Sequence, residues 1–579
     1  MSQPPIKLST LPQQDRSSHS AFALNVPAVA RWLEQLPRAN TGATTRALFN
    51  AVVELNRVQM PAARRLQLLD RLIPVWQDVR DRLQRQHLGK GGLLAAQPRQ
   101  VARLLESMTT SITSGYTLVA LHSRTETVRD RLESRSQIAR AVSGALASQR
   151  YNLLLASLFY QTPRAGFWKS VHDLYLLAQD QGVELERIEL EGRTFTVWDL
   201  YLSCLLFAAA GLNQLHQRDL DGLYRRMPGW ACHVDLAPGV PERCLLAVNP
   251  AEDAGPVYRD KCVSTSMRWL GLDVRELVKA LENELELPTL PAERTLLLHL
   301  TETWGQAQSR SFMRIDSRET LLVSIGLDAT HRHVAGDEDF DGLTPSGEIA
   351  SLAQDTGNPF VDGRTERQQR SRDIWDSVYD PGAVSAEAVT QIDVHVRDHQ
   401  MTKTAPEPLP PHYRVETINA SPRGYCLRWP KDADAPLHSG EVIGVRREKG
   451  GDQWMVGVIR WVRMAAGKPE VGIELLSASA LPYLARVAGQ NARQRVLMLP
   501  AMKAIGQPAM LLTPRVQWAD RQKVMLLRHD EQVLVVLTKQ VDSRSGFNQF
   551  EFRQVEHVRE ASAMVSADEP SFEGLWERL

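Results

Sequence analysis

Apolar residues at steps of three and four dominate the first half of the chain. Within residues 65–84 (RLQLLDRLIPVWQDVRDRLQ), Leu66, Leu69, Leu72, Ile73, Trp76 and Val79 fall on one side, with arginines and aspartates opposite. That is one apolar stripe for a core and one wet face of a helix. Similar stripes recur at 43–55, 98–118, 127–159 and 167–181. A further helix over 196–212 has Thr196 as N-cap and Asp199 as its N3 carboxylate, a looser form of the capping box. The pattern from about 26 to 304 predicts a helical module, bundle or solenoid-like, with short turns. No fixed repeat period recurs. Two β excursions interrupt it, one at 244–248 (CLLAV) and one at 312–325, where FMRI and TLLVSIG flank a polar turn. Both are expected to pair at the edge of the helical domain.

Residues 336–411 have few large apolar side chains and many Gly, Pro, Asp, Gln and Arg. Such a composition buries too little surface to offset chain entropy, so the stretch reads as a flexible linker with PEPLPP as its stiff end. After it the period changes to two. Five strands are expected at 413–419, 424–429, 442–447, 454–462 and 471–475, with Gly, Pro and Asp between them. A second β-rich block offers 495–499, 508–512, 523–528, 532–538 and 547–552. The predicted organisation is therefore multidomain α+β. A disordered N-terminus (1–25) and a helical domain (26–335) precede the linker (336–411). A small barrel (412–480), a β-rich extension (481–560) and a frayed acidic tail (561–579) follow it.

Composition narrows the function classes. Lys plus Arg and Asp plus Glu are 68 each in a chain of 579 residues, so no global field draws nucleic acid or an anionic membrane. The five cysteines are dispersed without ligand spacing, which fits a reducing compartment and no thiolate metal site. The longest uncharged apolar stretch, 200–212, is shorter than the roughly 20 residues that span a bilayer. The N-terminus lacks the apolar core of a signal peptide. The expectation is a cytoplasmic protein.

The chemistry concentrates at 413–476. Asn419-Ala-Ser421-Pro-Arg-Gly424 is followed by Ser439-Gly-Glu-Val442, Val456-Gly-Val-Ile-Arg-Trp461 and Val471-Gly-Ile-Glu-Leu-Leu476. This ordered set resembles the PilZ family, with its [Asp/Asn]-x-Ser-x-x-Gly element and three glycine-marked strands. The resemblance implies a small bacterial β-barrel that binds cyclic di-GMP through Asn419, Ser421 and Gly424. An amide accepts from guanine N–H groups, a hydroxyl reaches guanine or phosphate, and a glycine lets backbone approach closely. The family also carries an Arg-x-x-x-Arg element on the segment leading into the barrel, whose guanidinium forks suit phosphate and the guanine O6/N7 edge. Read in register a couple of dozen residues upstream, 392–401 offers Asp393-x-x-x-Arg397. Arg397 is then the candidate from that element, with an acid where the first arginine belongs, and Asn419 gives up the charge of the commoner Asp.

Other motifs carry less. The string 337–348 (DEDFDGLTPSGE) satisfies the calcium-loop pattern D-x-D-x-D-G-x5-E, but Thr344 and Pro345 spoil its strand pairing, so it reads as an acidic loop. His331-Arg-His333 has no nearby third ligand and reads as structural. No metal site and no cofactor are expected. Walker, nucleophile-elbow, zincin, CxxC and dinucleotide fingerprints are absent, as are signatures for making or degrading the messenger, so no enzyme is expected. The reading is a cytoplasmic cyclic di-GMP receptor or adaptor that signals through the helical module to an unidentified protein partner. The alternative is a ligand-free scaffold whose barrel docks a protein.

Overall fold

The computed structural model describes residues 11–557, except 89–94, 126–130, 263–267, 307–313, 337–342, 344–408, 431–434, 488–491, 502–506 and a few isolated loop positions. Helices α1 (Val26–Glu34), α2 (Thr41–Leu55), α3 (Ala62–His87), α4 (Ala96–Thr125) and α5 (Arg131–Leu158) open the chain. The hairpin β1 (Ile188–Leu190) and β2 (Arg193–Phe195) separates α6 (Phe167–Gln181) from α7 (Val197–Ala209) and α8 (Gln217–Trp230). Asp199 and Thr196 close a full capping box at the start of α7. The single stripe expected over 127–159 is not what α5 shows. It packs against α3, α4, α6, α7 and α8, so apolar residues are needed on several sides.

A four-stranded sheet follows, in the order β3 (Asp235–Pro238), β6 (Leu270–Asp273), β4 (Leu246–Val248), β5 (Val257–Tyr258). Helices α9 (Arg275–Glu286) and α10 (Pro291–Gly305) lead on to β7 (Ile315–Asp316) and β8 (Thr320–Ile325). These two strands do not pair at the edge of the helical domain. Leu321, Leu322, Val323 and Ser324 are all buried, and a strand buried on both faces needs neighbours on both edges. The barrel supplies them.

Its strands are β9 (Tyr413–Ser421), β10 (Gly424–Arg428), β11 (Val442–Arg447), β12 (Met455–Ala465) and β13 (Lys468–Ser477). β8 sits between β9 (Leu321 opposite Val415) and β11 (Ser324 opposite Gly444). The ring β10-β13-β12-β11-β8-β9 closes through β9–β10, and β7 adds to the outer edge of β9. The five expected strands are present, and the sixth comes from before the linker.

The β-rich block is a second closed barrel. Its order is β14 (Leu481–Val487), β15 (Arg493–Leu499), β16 (Met510–Thr513), β19 (Asn548–His557), β18 (Glu531–Ser543), β17 (Lys523–Arg528). Helix α11 (Leu327–Val334) lies between the barrels, against β8 and β11 on one side and β14 and β15 on the other. Apolar packing is continuous from the helices into the first barrel, where Leu427, Trp429, Ile443 and Ile459 join the same core.

One residue ties the helical domain to β12. Tyr160, after α5, is buried with φ of 51°, a strained conformation for a bulky residue. Its hydroxyl donates to the Leu215 carbonyl (3.1 Å) and accepts from the Ser439 amide (3.4 Å). Its carbonyl accepts from the Met464 amide of β12 (2.9 Å).

Candidate functional site

Strand register decides which side chains meet. Asn419 on β9 is opposite Cys426 on β10, Cys426 is opposite Gly472 on β13, and Gly472 is opposite Trp461 on β12. Directly paired residues point to one face, so the row runs across the outer surface of the barrel. The ring of Trp461 lies over Gly472, where a Cβ would stand 2.0 Å from the indole nitrogen. Two residues along, Ser421 pairs with Gly424 and Gly424 with Glu474. Asn419, Ser421 and Gly424 are thus brought together, as the motif implies. Ser421 donates to the Gly424 carbonyl (3.2 Å), which closes the turn. Gly424 is required by space. A Cβ there would lie 1.9 Å from the Ile473 carbonyl oxygen.

Arg397 and Asp393 lie outside the described residues, as do the arginines at 364–372. The structure instead places another Arg-x-x-x-Arg pair at the site. Arg314-Ile-Asp-Ser-Arg318 spans β7, with Ile315 opposite Ala420 and Asp316 opposite Asn419. The Ser317 amide donates to the Ile418 carbonyl (3.2 Å). The Thr417 hydroxyl donates to the Ser317 hydroxyl (2.9 Å) and accepts from the Glu319 amide (2.8 Å). Both arginines are exposed. Arg314 alternates onto the face of Asp316 and Asn419, and its charge acts on Cys426 in the middle of the row. Sequence reasoning missed this pair although its spacing is plain, because it precedes the linker.

Charge on this face is arranged in two groups. Glu474 pairs with Arg460 and lies 4.0 Å from Arg423. Glu470, mostly buried, takes a forked pair of hydrogen bonds from Arg463 (2.6 and 2.8 Å) and has Arg428 at 3.7 Å. Glu470, buried, and Glu474, partly exposed, are each matched by arginine, and the remaining arginines leave the surface net basic. Burial pushes the Cys426 thiol upward, reinforced by Glu470 and opposed by Arg463, Arg314 and Arg428, so it is a packed thiol and not a nucleophile.

The other motifs do not form sites. His331 gives its Nε2 to the Tyr483 carbonyl (3.1 Å) and His333 its Nε2 to the Pro410 carbonyl (3.0 Å). Each holds a different piece of backbone. The acidic string 337–348 lies outside the described residues apart from Leu343, which is buried against Leu484 and Leu527. Among the described residues, no helix is long and apolar enough to cross a membrane.

Comparisons with known proteins match three consecutive parts of the chain. Residues 27–242 match the N-terminal domain of the cyclic-di-GMP receptor FimW, 245–482 its middle PilZ domain, and 483–555 its C-terminal β-barrel domain. The curated protein "Cyclic-di-GMP receptor FimW" of Pseudomonas aeruginosa is 30% identical over 95% of both chains. That relative is, by its description, a receptor. No solved structure matches. With the PilZ barrel, its two flanking domains and a full-length relative in agreement, the chain belongs to the FimW family.

Proposed function

We propose that this protein is a receptor for cyclic di-GMP, bound on the outer face of the first barrel. The observation that carries the reading is the register of β7 on β9, which sets Arg314 and Arg318 beside Asn419-x-Ser421-x-x-Gly424. The arginine forks address phosphate oxygens and the guanine O6/N7 edge. Asn419 and Asp316, paired across the strands, both accept. Guanine N1–H and its exocyclic amine are donors, so Asp316 supplies the carboxylate that Asn419 lacks. Gly424 keeps the turn low enough for the ligand to approach the backbone.

Signalling through the helical domain is supported by the geometry of β12. Trp461 sits at the ligand face, and Met464 three residues on holds the Tyr160 carbonyl. A ligand shifts the helical domain only through its differential affinity for two placements of this strand. The helical surface then changes what it offers to a protein partner.

Calorimetric titration of the full chain with cyclic di-GMP and cyclic di-AMP tests the reading. Adenine has no N1–H, so it leaves the acceptors Asp316 and Asn419 unmatched, and such mismatches discriminate strongly. Saturable binding of cyclic di-GMP and at least tenfold weaker cyclic di-AMP is the expected result. Equal affinity for both would remove the guanine-reading site, and no heat from either would remove the receptor in favour of a ligand-free docking barrel.

A further inference from the structure

The helical domain contains a cavity of about 440 Å³ whose lining is aromatic and basic. Its walls come from α3, α4, α5, α8 and the β1–β2 hairpin, so it is far in sequence from the barrel residues described above. Trp76 and Tyr151 line it and are buried. Five arginines (80, 85, 150, 193 and 225) face two aspartates (81 and 221), a net lining charge of 5 − 2 = +3. The aspartates are already matched, Asp81 by Arg80 (2.9 Å) and Asp221 by Arg225 (2.8 Å).

Arg150 is the residue that asks for a ligand. Its side chain is 6% exposed. Its Cζ lies 4.1 Å over the Tyr224 ring and its Nη2 donates to the Tyr224 carbonyl (3.0 Å). Its Nε is buried with no acceptor. A buried guanidinium with an unsatisfied donor is costly unless a counter-charge completes it. In the same lining Arg80 stands over the Tyr151 ring (4.9 Å), and the Tyr151 hydroxyl donates to Gln84 (3.1 Å). Two guanidinium–aromatic pairs thus line the cavity, together with the exposed Arg85, Arg193 and Arg225.

We infer that this cavity is a second ligand site, for a planar aromatic anion about the size of a bicyclic carboxylate. The ring would stack against the guanidinium–aromatic pairs, and the anionic group would offset the charge of Arg150 from the cavity side. A volume in the range of roughly 300–1,000 Å³ is typical of small-molecule sites.

The test titrates the full chain with 2-naphthoate as probe and neutral 2-naphthalenemethanol as control. The expected result is saturable one-site binding of the naphthoate and at least tenfold weaker binding of the alcohol. Arg150→Met should weaken the naphthoate about tenfold or more, as loss of a charge-assisted bond does. Ala147→Phe, which fills the half-buried wall of α5 without touching a charge, should do the same. The double variant Arg314→Ala/Arg318→Ala should leave probe affinity unchanged. Absence of saturable binding, equal affinity for the alcohol, wild-type affinity in Ala147→Phe, or loss of binding in the barrel double variant would each overturn the proposal. If Arg150→Met fails to fold, Ala147→Phe still decides it.

Discussion

Replacing Gly424 with alanine tests the close approach at the corner of the binding face. Its φ is not positive, so the cost is steric alone. The added Cβ would stand 1.9 Å from the Ile473 carbonyl oxygen, 3.0 Å from its carbon and 3.2 Å from the Glu474 Cα. Close carbon–oxygen contacts between strands run at about 3.3 Å, so β10 and β13 must separate by roughly 1.4 Å. All three obstructing atoms are backbone, and none can rotate away. Overpacking of this kind costs about 1–3 kcal/mol, and the neighbouring bond from the Leu475 amide to the Arg423 carbonyl (2.8 Å) adds about 1 kcal/mol if it is lost. A total of about 2–4 kcal/mol is expected, confined to the first barrel. Amide hydrogen exchange measured on peptides of β9, β10 and β13 reads this directly, because local opening free energies set the rates. Exchange there should accelerate by roughly 30-fold or more, at about 1.4 kcal/mol per tenfold. Gly467→Ala is the control. Its φ is +75° and nothing lies within 4 Å of its Cβ, so only the left-handed backbone penalises it, by about 1 kcal/mol. Wild-type exchange in Gly424→Ala would refute the steric reasoning.

Three further outcomes follow from the packing. Tyr160→Phe strips the hydroxyl that joins Leu215 and Ser439 and should cost about 1–2 kcal/mol in urea unfolding of the helical domain–barrel unit; an unchanged midpoint would contradict the tie. Gly472→Ala should displace the Trp461 ring, whose nitrogen is 2.0 Å from the new Cβ, with tryptophan emission shifting while the barrel stays folded; unaltered emission would show that the ring does not lie there. The His331 imidazole is pushed down to about 4 by burial, opposed by its bond to the Tyr483 carbonyl. Its stabilising contribution is complete above pH 6.5 and declines as pH falls towards 4, by up to about 1.4 kcal/mol per unit. Melts of wild type and His331→Gln between pH 7.5 and 4.5 should therefore converge as pH falls, and parallel curves would count against it.

Much of this architecture is legible in the chain. Alternation locates β9, with its wet and buried faces. Glycine punctuation with β-branched residues locates β11 to β13, although β11 and β13 are buried on both faces over much of their length. Thr196 and Asp199 announce α7 for a local reason, since a capping box involves only adjacent residues. What could not be read is pairing across distance. β8 is a short strand, buried from Leu321 to Ser324, whose partners begin at Tyr413, and nothing in Leu321, Leu322 and Val323 names them. Loop closure entropy grows only logarithmically with length, so a barrel tolerates residues 326–412 between two neighbouring strands. The same separation concealed Arg314 and Arg318. A search for the arginine pair measured back along the chain from Asn419 arrives at Arg397, whereas measured from the first buried strand it arrives at once. The site is set by register, and register is a property of the fold. The β14 strand was missed because Leu481–Val487 follows β13 after only a bend, without the usual punctuation.

The central claim is that β7 delivers the phosphate-gripping arginines to Asn419-x-Ser421-x-x-Gly424. Calorimetric titration of cyclic di-GMP into the full chain and into Arg314→Ala/Arg318→Ala measures it most directly. Each lost charge-assisted contact is worth about 1.5–3 kcal/mol, so the account predicts saturable binding to the wild type and at least a hundredfold loss in the double variant. Wild-type affinity in the double variant would contradict it.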